Sequence, residues 1–509
     1  MPNFSFFSII CKGERAHRRG EALRAHIRRG EALRALCKGG YHPPIGGYML
    51  EKNNNSSNRS SFTSKIGFVL AAAGSAVGLG NLWRFPYCAA KYGGGMFLLL
   101  YVILAVTFGF ALMVAEIAIG RKTRLSAIGA FDKLKPEYSF VGVLASIVPI
   151  IITPYYCVIG GWVLKFLWSY ISMPANEVAA TNAAGLTVFE QLITSPVEPI
   201  VWFLLFLGFT ILVIAIGVEK GIENISKILM PILVILIAIV AIYSCTLPGA
   251  VNGIKYYLQP NIKDLSVKTV LSAMSQLFYS LSLAMGIMIT YGSYMKKDIN
   301  IETSVWQIEI FDTVIAFLAG LAIIPAVFAC GSPENLKAGP SLMFIILPQL
   351  FATMKAGRII AIIFFFLVFF AALTSSISLY ETCVSIIQDK FKQKRTPSIV
   401  FTFFICIIIG FLSSLGYGPL SMITFLGMQF LDLFDFLSNS VLMPIVAFFT
   451  CIFVGYVIKP KAIIDEVETC GNKFKLKNLF VVVIKYIAPI LIVIILVASL
   501  LQAFGKISM

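Results

Sequence analysis

Charge is scarce in this chain. Asp, Glu, Lys and Arg make up only 13% of its 509 residues, about half the share of an ordinary soluble protein. A large water-facing globule is therefore excluded. Histidine is nearly absent: His17, His26 and His42 are the only three, and all precede the apolar part of the chain. No intramembrane metal site or proton relay can be built on imidazole. The ten cysteines include no C-x-x-C pair, and most lie in apolar runs, where a thiol packs as a small hydrophobe. A disulfide framework and a zinc site are thus not indicated. No nucleophile–base set or metal-ligand set occurs within the apolar runs, so an enzyme is not expected.

What remains is hydrophobic: 58% of residues are apolar and the mean hydropathy is +0.87. Repeated apolar runs of roughly 20 residues define an all-α polytopic membrane protein. The net charge of +16 does not signal nucleic acid. Half of it lies up to Lys65, where twelve basic residues stand against Glu14, Glu21, Glu31 and Glu51. The remainder fits cytoplasmic loops.

Residues 1–48 contain Gly20-Glu-Ala-Leu-Arg-Ala-His-Ile-Arg-Arg, repeated at once as Gly30-Glu-Ala-Leu-Arg-Ala-Leu-Cys-Lys-Gly. They read either as a basic tail on the membrane surface or as a start codon placed too early. The second is the expectation, with Met49 opening a polar cytoplasmic segment over 49–65. A signal peptide is not expected, since no long apolar core follows the charges.

Eleven spans are expected, at about 66–88, 95–120, 139–170, 198–217, 223–246, 266–295, 302–329, 357–389, 397–415, 427–458 and 477–503. Basic residues cluster in alternate connections: Arg121 to Lys135, Lys220 and Lys227, Lys296 and Lys297, Lys390 to Arg395, and Lys459 to Lys477. The connection at 171–197 has none. This bias predicts a cytoplasmic N-terminus and an outside C-terminus.

Span one carries Gly74-Ser-Ala-Val-Gly78-Leu-Gly80-Asn81-Leu-Trp83-Arg84-Phe85-Pro86. Each Gly costs a helix roughly 1 kcal/mol and an interior Pro about 3. Backbone unwound at membrane depth must be buried or line a cavity. Span six carries Gln276-Leu-Phe-Tyr279-Ser280-Leu-Ser282-Leu-Ala284-Met285-Gly286, a second interruption. Paired broken helices point to a transport site at the midplane of two inverted repeats. The expected architecture is a 5+5 inverted repeat, 66–246 and 266–458, with helices one and six broken and an eleventh helix at 477–503.

Other polar groups in the spans need partners. Thr374 lies one turn from the Ala371 carbonyl, and Ser375 is adjacent. Together they offer hard oxygen to an alkali cation or simply bond back to their own helix. Glu309 and Asp312 sit one turn apart in span seven. Intramembrane acids default to functional hypotheses; Asp312 is the deeper, whereas Glu309 is expected near the cytoplasmic end and solvated. Glu116 is expected to bond unwound backbone of span one. Arg84 and Asp435 could bridge at the outer face and Arg59 and Asp389 at the inner, or each could be a solvated loop charge. Tyr155 and Tyr156 either pack or donate to a carboxylate.

These motifs resemble the neurotransmitter:sodium symporter family, in its bacterial amino-acid branch, over roughly residues 58–503. The span-one motif is highly specific. Gly93-Gly94-Gly95, Tyr155-Tyr156, Ser280-Leu-Ser282-Leu, Thr374-Ser375-Ser376 and Leu431-Asp432-x-x-Asp435-Phe436 support it.

The resemblance implies two sodium sites. One uses the Ala76 carbonyl, Asn81, Ser280, Asp312 and the substrate carboxylate. The other uses the carbonyls of Gly74, Val77 and Ala371 with the hydroxyls of Thr374 and Ser375. The amides of Leu79 and Gly80 and the Tyr156 hydroxyl would hold the carboxylate. The side-chain pocket would be lined by Ile152, Tyr156, Tyr279, Ser282, Met285, Ser375 and Leu379. Arg84–Asp435 and Arg59–Asp389 would be the gates, with Tyr294 and Phe62 at the inner one.

Two departures sharpen the reading. Amine-transporting members carry Asp where Gly78 stands, so an amino acid is expected. Asp312 would supply the charge that chloride supplies elsewhere, with Ala316 one turn on. The expectation is a sodium-coupled, chloride-independent importer of a neutral hydrophobic or aromatic amino acid, working by alternating access in a bacterial inner membrane. A proton-coupled transporter, with Glu116 or Asp312 as carrier, is the alternative. The oligomeric state is not readable.

Overall fold

The computed structural model describes residues 61–181, 185–329 and 342–503. The extension at 1–48, most of the segment at 49–65, and Arg59 lie outside the described residues.

Among the described residues, nine helices are long and apolar enough to cross a bilayer. A tenth span is a pair, Lys65–Ala76 and Gly80–Lys91, bent by 52° at its break. The pair Val267–Ser280 and Ile287–Tyr294 completes eleven as span six. The others are span two Gly95–Thr123, three Pro136–Ser172, four Glu198–Ile216, five Val218–Cys245, seven Ile301–Ala329, eight Gly357–Phe391, nine Arg395–Leu415, ten Phe430–Val457 and eleven Lys477–Leu501. The expected spans agree with these to within a few residues. Among the described residues, the only β pairings are the isolated bridges Thr181–Thr187 and Phe425–Met428.

Both breaks fall where the sequence is weakest as helix. Span one stops because Val77 is extended (φ −75°, ψ 101°), beside Gly78. Span six unwinds over residues 281–286, where Ser282, Ala284 and Gly286 all take positive φ (52°, 60° and 70°). Left-handed backbone costs a non-glycine residue roughly 1–2 kcal/mol. Such strain persists only where surrounding contacts enforce it.

Spans three and eight pack on each other, and span one lies against five, seven and eight. Span two packs on the second half of span six through a glycine contact. A Cβ on Gly120 would fall 1.9 Å from the Ile289 carbonyl oxygen, and one on Gly292 would fall 2.3 Å from that of Ile117. Backbones approach this closely in membranes only across small residues. Broken helices thus sit inside the bundle, while Ile235, Ile242 and Ile408 are exposed on the outside, as lipid-facing residues must be.

Candidate functional site

The two breaks meet around a small cavity. Ten of the residues expected around substrate line it: Ala76, Gly78, Gly80, Ile152, Tyr156, Tyr279, Ser282, Met285, Ser375 and Leu379. Ser75 and Ile287 also line it and were not anticipated. Leu79 and Ser280 are not among its lining residues. The Leu79 N–H donates to the Tyr156 hydroxyl at 3.2 Å, which fixes that phenol at the mouth of the span-one break.

Gly78 is required by space. A Cβ there would lie 2.5 Å from the Ser375 Oγ and 2.8 Å from the Tyr156 Oη. Any side chain would displace both hydroxyls. Among the described residues, no Lys, Arg, Asp or Glu lines the cavity, so a charged side chain entering it would lose hydration without a partner.

Beside the cavity, Asp312 is fully buried. Its Oδ1 accepts from the Asn81 amide at 2.7 Å and from the Ser280 hydroxyl at 2.8 Å. Its Oδ2 accepts from the Tyr101 hydroxyl at 2.7 Å. Spans one, two, six and seven thus converge on one carboxylate. Tyr101 was missed because a tyrosine in an apolar run looks like packing.

A second oxygen cluster joins spans one and eight. The Ser375 hydroxyl lies 3.4 Å from the Gly74 carbonyl oxygen and 3.3 Å from that of Val77. The Thr374 hydroxyl lies 3.1 Å from the Ala371 carbonyl oxygen and 3.1 Å from that of Phe370. Thr374 therefore bonds back to its own helix while standing next to the cluster.

Two acids depart from expectation. Glu116 bonds the break of span six, not span one: its Oε1 accepts the Ala284 N–H at 2.8 Å. The unwound stretch in six is the longer of the two. Glu309 is not solvated. It is 3% exposed, and neither carboxylate oxygen has a hydrogen-bond partner. Span seven is enclosed at this level by the span-two backbone at Gly109 and by Leu281, which chain position alone cannot reveal.

Beyond Tyr279 lies a larger cavity of about 290 Å³, lined by Trp83, Arg84, Trp162, Phe344, Asp432 and Asp435 among others. Tyr279 lines both spaces and is the partition between them. Arg84 and Asp435 face this vestibule without pairing. The Arg84 guanidinium donates to the Gln276 Oε1 at 3.1 Å and the Ser275 Oγ at 3.1 Å, and it lies 5.3 Å from the Tyr279 ring centroid. Asp435 accepts from Tyr155 at 3.2 Å and Asn439 at 2.6 Å. Tyr155 thus serves the vestibule wall rather than the cavity. The expected bridge is absent because each partner is engaged on its own side of an open space.

The opposite end is sealed. The Phe62 ring contacts Phe68, Tyr291 and Tyr294 edge-on, and its N–H donates to the Tyr294 carbonyl at 3.1 Å. The Tyr294 hydroxyl donates to Glu381 at 2.8 Å, and Arg395 clamps the same carboxylate at 2.9 and 2.6 Å. Asp389 accepts the Ser126 N–H at 2.6 Å. Glu381 and Arg395 were not anticipated as part of this end.

The family model for sodium:neurotransmitter symporters matches residues 59–184 and 186–507. An uncharacterized sodium-dependent transporter of Bacillus subtilis, YhdH, is 36% identical over 440 residues, covering 85% of this chain and 96% of its own. One from Haemophilus influenzae is 33% identical, covering 88% and 99%. The crystal structure of MhsT in complex with L-phenylalanine superposes with a TM-score of 0.79 at 37% identity, over 87% of this chain and all of that one. The chain belongs to the sodium:neurotransmitter symporter family and is a sodium-dependent membrane transporter, not an enzyme.

Proposed function

We propose that the protein imports a neutral hydrophobic or aromatic amino acid together with sodium, by alternating access, without a requirement for chloride. The observation that carries this reading is the cavity at the breaks. One end offers the Tyr156 hydroxyl and the backbone from Gly78 to Gly80, where the second half-helix of span one begins, and the rest is largely apolar, interrupted by the hydroxyls of Ser75, Ser282 and Ser375, with no charged side chain among the described lining residues. An α-carboxylate fits the first end, at the start of the second half-helix of span one, where it would take over the Leu79 N–H that now donates to Tyr156. An apolar side chain fits the second. The L-phenylalanine in complex with MhsT is a ligand of this type.

One sodium ion would sit among the Ala76 carbonyl, Asn81, Ser280, Asp312 and the substrate carboxylate. In the present arrangement the Asn81 amide nitrogen faces Asp312. Turning that amide end for end presents its oxygen to a cation. A second ion would sit among the carbonyls of Gly74, Val77 and Ala371 and the hydroxyls of Thr374 and Ser375. Both sets are hard oxygen donors, as an alkali cation prefers. Asp312 supplies a fixed negative charge beside the first ion, which makes an added chloride unnecessary.

The vestibule then faces outside and the Phe62 seal faces the cytoplasm of a bacterial inner membrane, with the N-terminus inside. Ions and substrate enter past Tyr279. Arg84 and Asp435 close over the vestibule, and Tyr294 and Asp389 release at the far end. Coupling requires that sodium bind the two states with different affinity.

The deciding experiment measures uptake of each of the twenty amino acids into proteoliposomes. An inward sodium gradient with gluconate replacing chloride should drive uptake of neutral hydrophobic or aromatic ones. Uptake driven by a pH gradient without sodium would replace the sodium mechanism. Loss of sodium-driven uptake when chloride is withdrawn would refute chloride independence.

A further inference from the structure

We propose that the loop joining spans nine and ten is a membrane-interface anchor whose partner is the lipid headgroup–acyl boundary. Span nine ends at Leu415 and span ten begins at Phe430. No charged residue occurs anywhere from Thr396 to Leu431. Every residue from Ser421 to Gly427 is exposed, and the apolar ones are large: Met422 is 93% exposed, Leu426 64%, Phe425 49% and Ile423 44%. A water-exposed loop of 14 residues ordinarily carries charge and turn-forming polar groups.

The loop is built, not slack. Phe425 and Met428 exchange both backbone hydrogen bonds, at 3.0 and 2.9 Å. The reversal between them places Leu426 at φ +54° and Gly427 at φ +74°. A leucine in left-handed backbone is a costly choice for a turn tip that faces water. Its chemistry makes sense where the side chain enters an apolar phase. Burial there returns roughly 25 cal/mol for each Å² of apolar surface removed from water.

The patch continues a lipid-facing surface. Span nine exposes Phe401, Phe404 and Ile408 and leads without a charge into the loop. The loop base is tied to the vestibule wall: the Tyr417 hydroxyl donates to Asp432 at 2.9 Å, and the Gln429 amide donates to the Ser421 carbonyl at 3.2 Å. The anchor therefore fixes the first two turns of span ten, with Asp432 and Asp435, relative to the bilayer surface.

The test uses the full chain with Met422→Cys or, separately, Ile423→Cys, each carrying a nitroxide label, in liposomes at about one protein per vesicle. The expected result is that both labels collide more often with dissolved oxygen than with a water-soluble nickel chelate. Nickel collisions dominating at both positions would place the tip in water and overturn the proposal. Protection from both relaxers, with a label–label distance by pulsed spectroscopy, would mark a contact between two copies and would overturn it equally.

Discussion

At the residue scale, the site depends on what Gly78 lacks. Gly78→Ala puts a methyl group against two hydroxyls, so substrate affinity should fall by at least tenfold, about 1.4 kcal/mol. Saturation binding of the best-transported amino acid measures this. Asn81→Leu and Asp312→Leu should each strongly reduce sodium-driven uptake while the protein still reaches the membrane. Normal transport by both would remove the first ion site. Glu309 predicts the opposite sign. A buried carboxylate without partners is destabilising, and an apolar replacement of similar volume is often neutral or better. Glu309→Leu should therefore hold or raise the midpoint of thermal unfolding in detergent; a marked fall would show that this carboxylate has a partner.

Individual polar residues were legible in the sequence to the extent that they stood out from an apolar run. Asn81, Ser280 and Asp312 did, and the fold gathers them. Tyr101 did not, because a phenol ring is at home among leucines. Glu309 misled because its depth depends on what span two does at Gly109, far away in the chain.

At the element scale, the breaks in spans one and six were readable from glycine and hydroxyl content, and both formed. What holds the second one open was not readable, because the partner of Glu116 is a backbone N–H that any residue could offer. Removing a buried acceptor costs roughly 1–3 kcal/mol. Glu116→Leu should therefore lower stability by about that amount, and Glu116→Gln, which keeps an acceptor oxygen, should stay near the parent. Thermal unfolding of both variants separates a packing role from this hydrogen bond. The Arg84–Asp435 pair shows a different limit. Sequence can name two charges that could meet, but their distance belongs to a conformational state and not to the chain.

At the scale of the whole molecule, the two ends of the bundle are unequal: a vestibule at Asp435, and a seal of Phe62, Tyr291 and Tyr294 at the other. Glu381 ties that seal to span nine through Arg395. Glu381→Gln should weaken the tie and shift the population toward a state open at the seal. A cysteine placed at Ile193, in the vestibule wall, should then react more slowly with a membrane-impermeant maleimide; unchanged labelling would show that Glu381 does not bias the equilibrium. The shared ring of Tyr279 carries a consequence for chemical intervention. This one ring separates two rooms, and under the proposed mechanism it shuts before the far wall yields. A compound with an amino-acid head in the smaller room and a tail too long to clear the threshold would wedge that ring ajar. It would compete with substrate for the head site yet never cross, an inhibitor distinguished from a cargo by length alone.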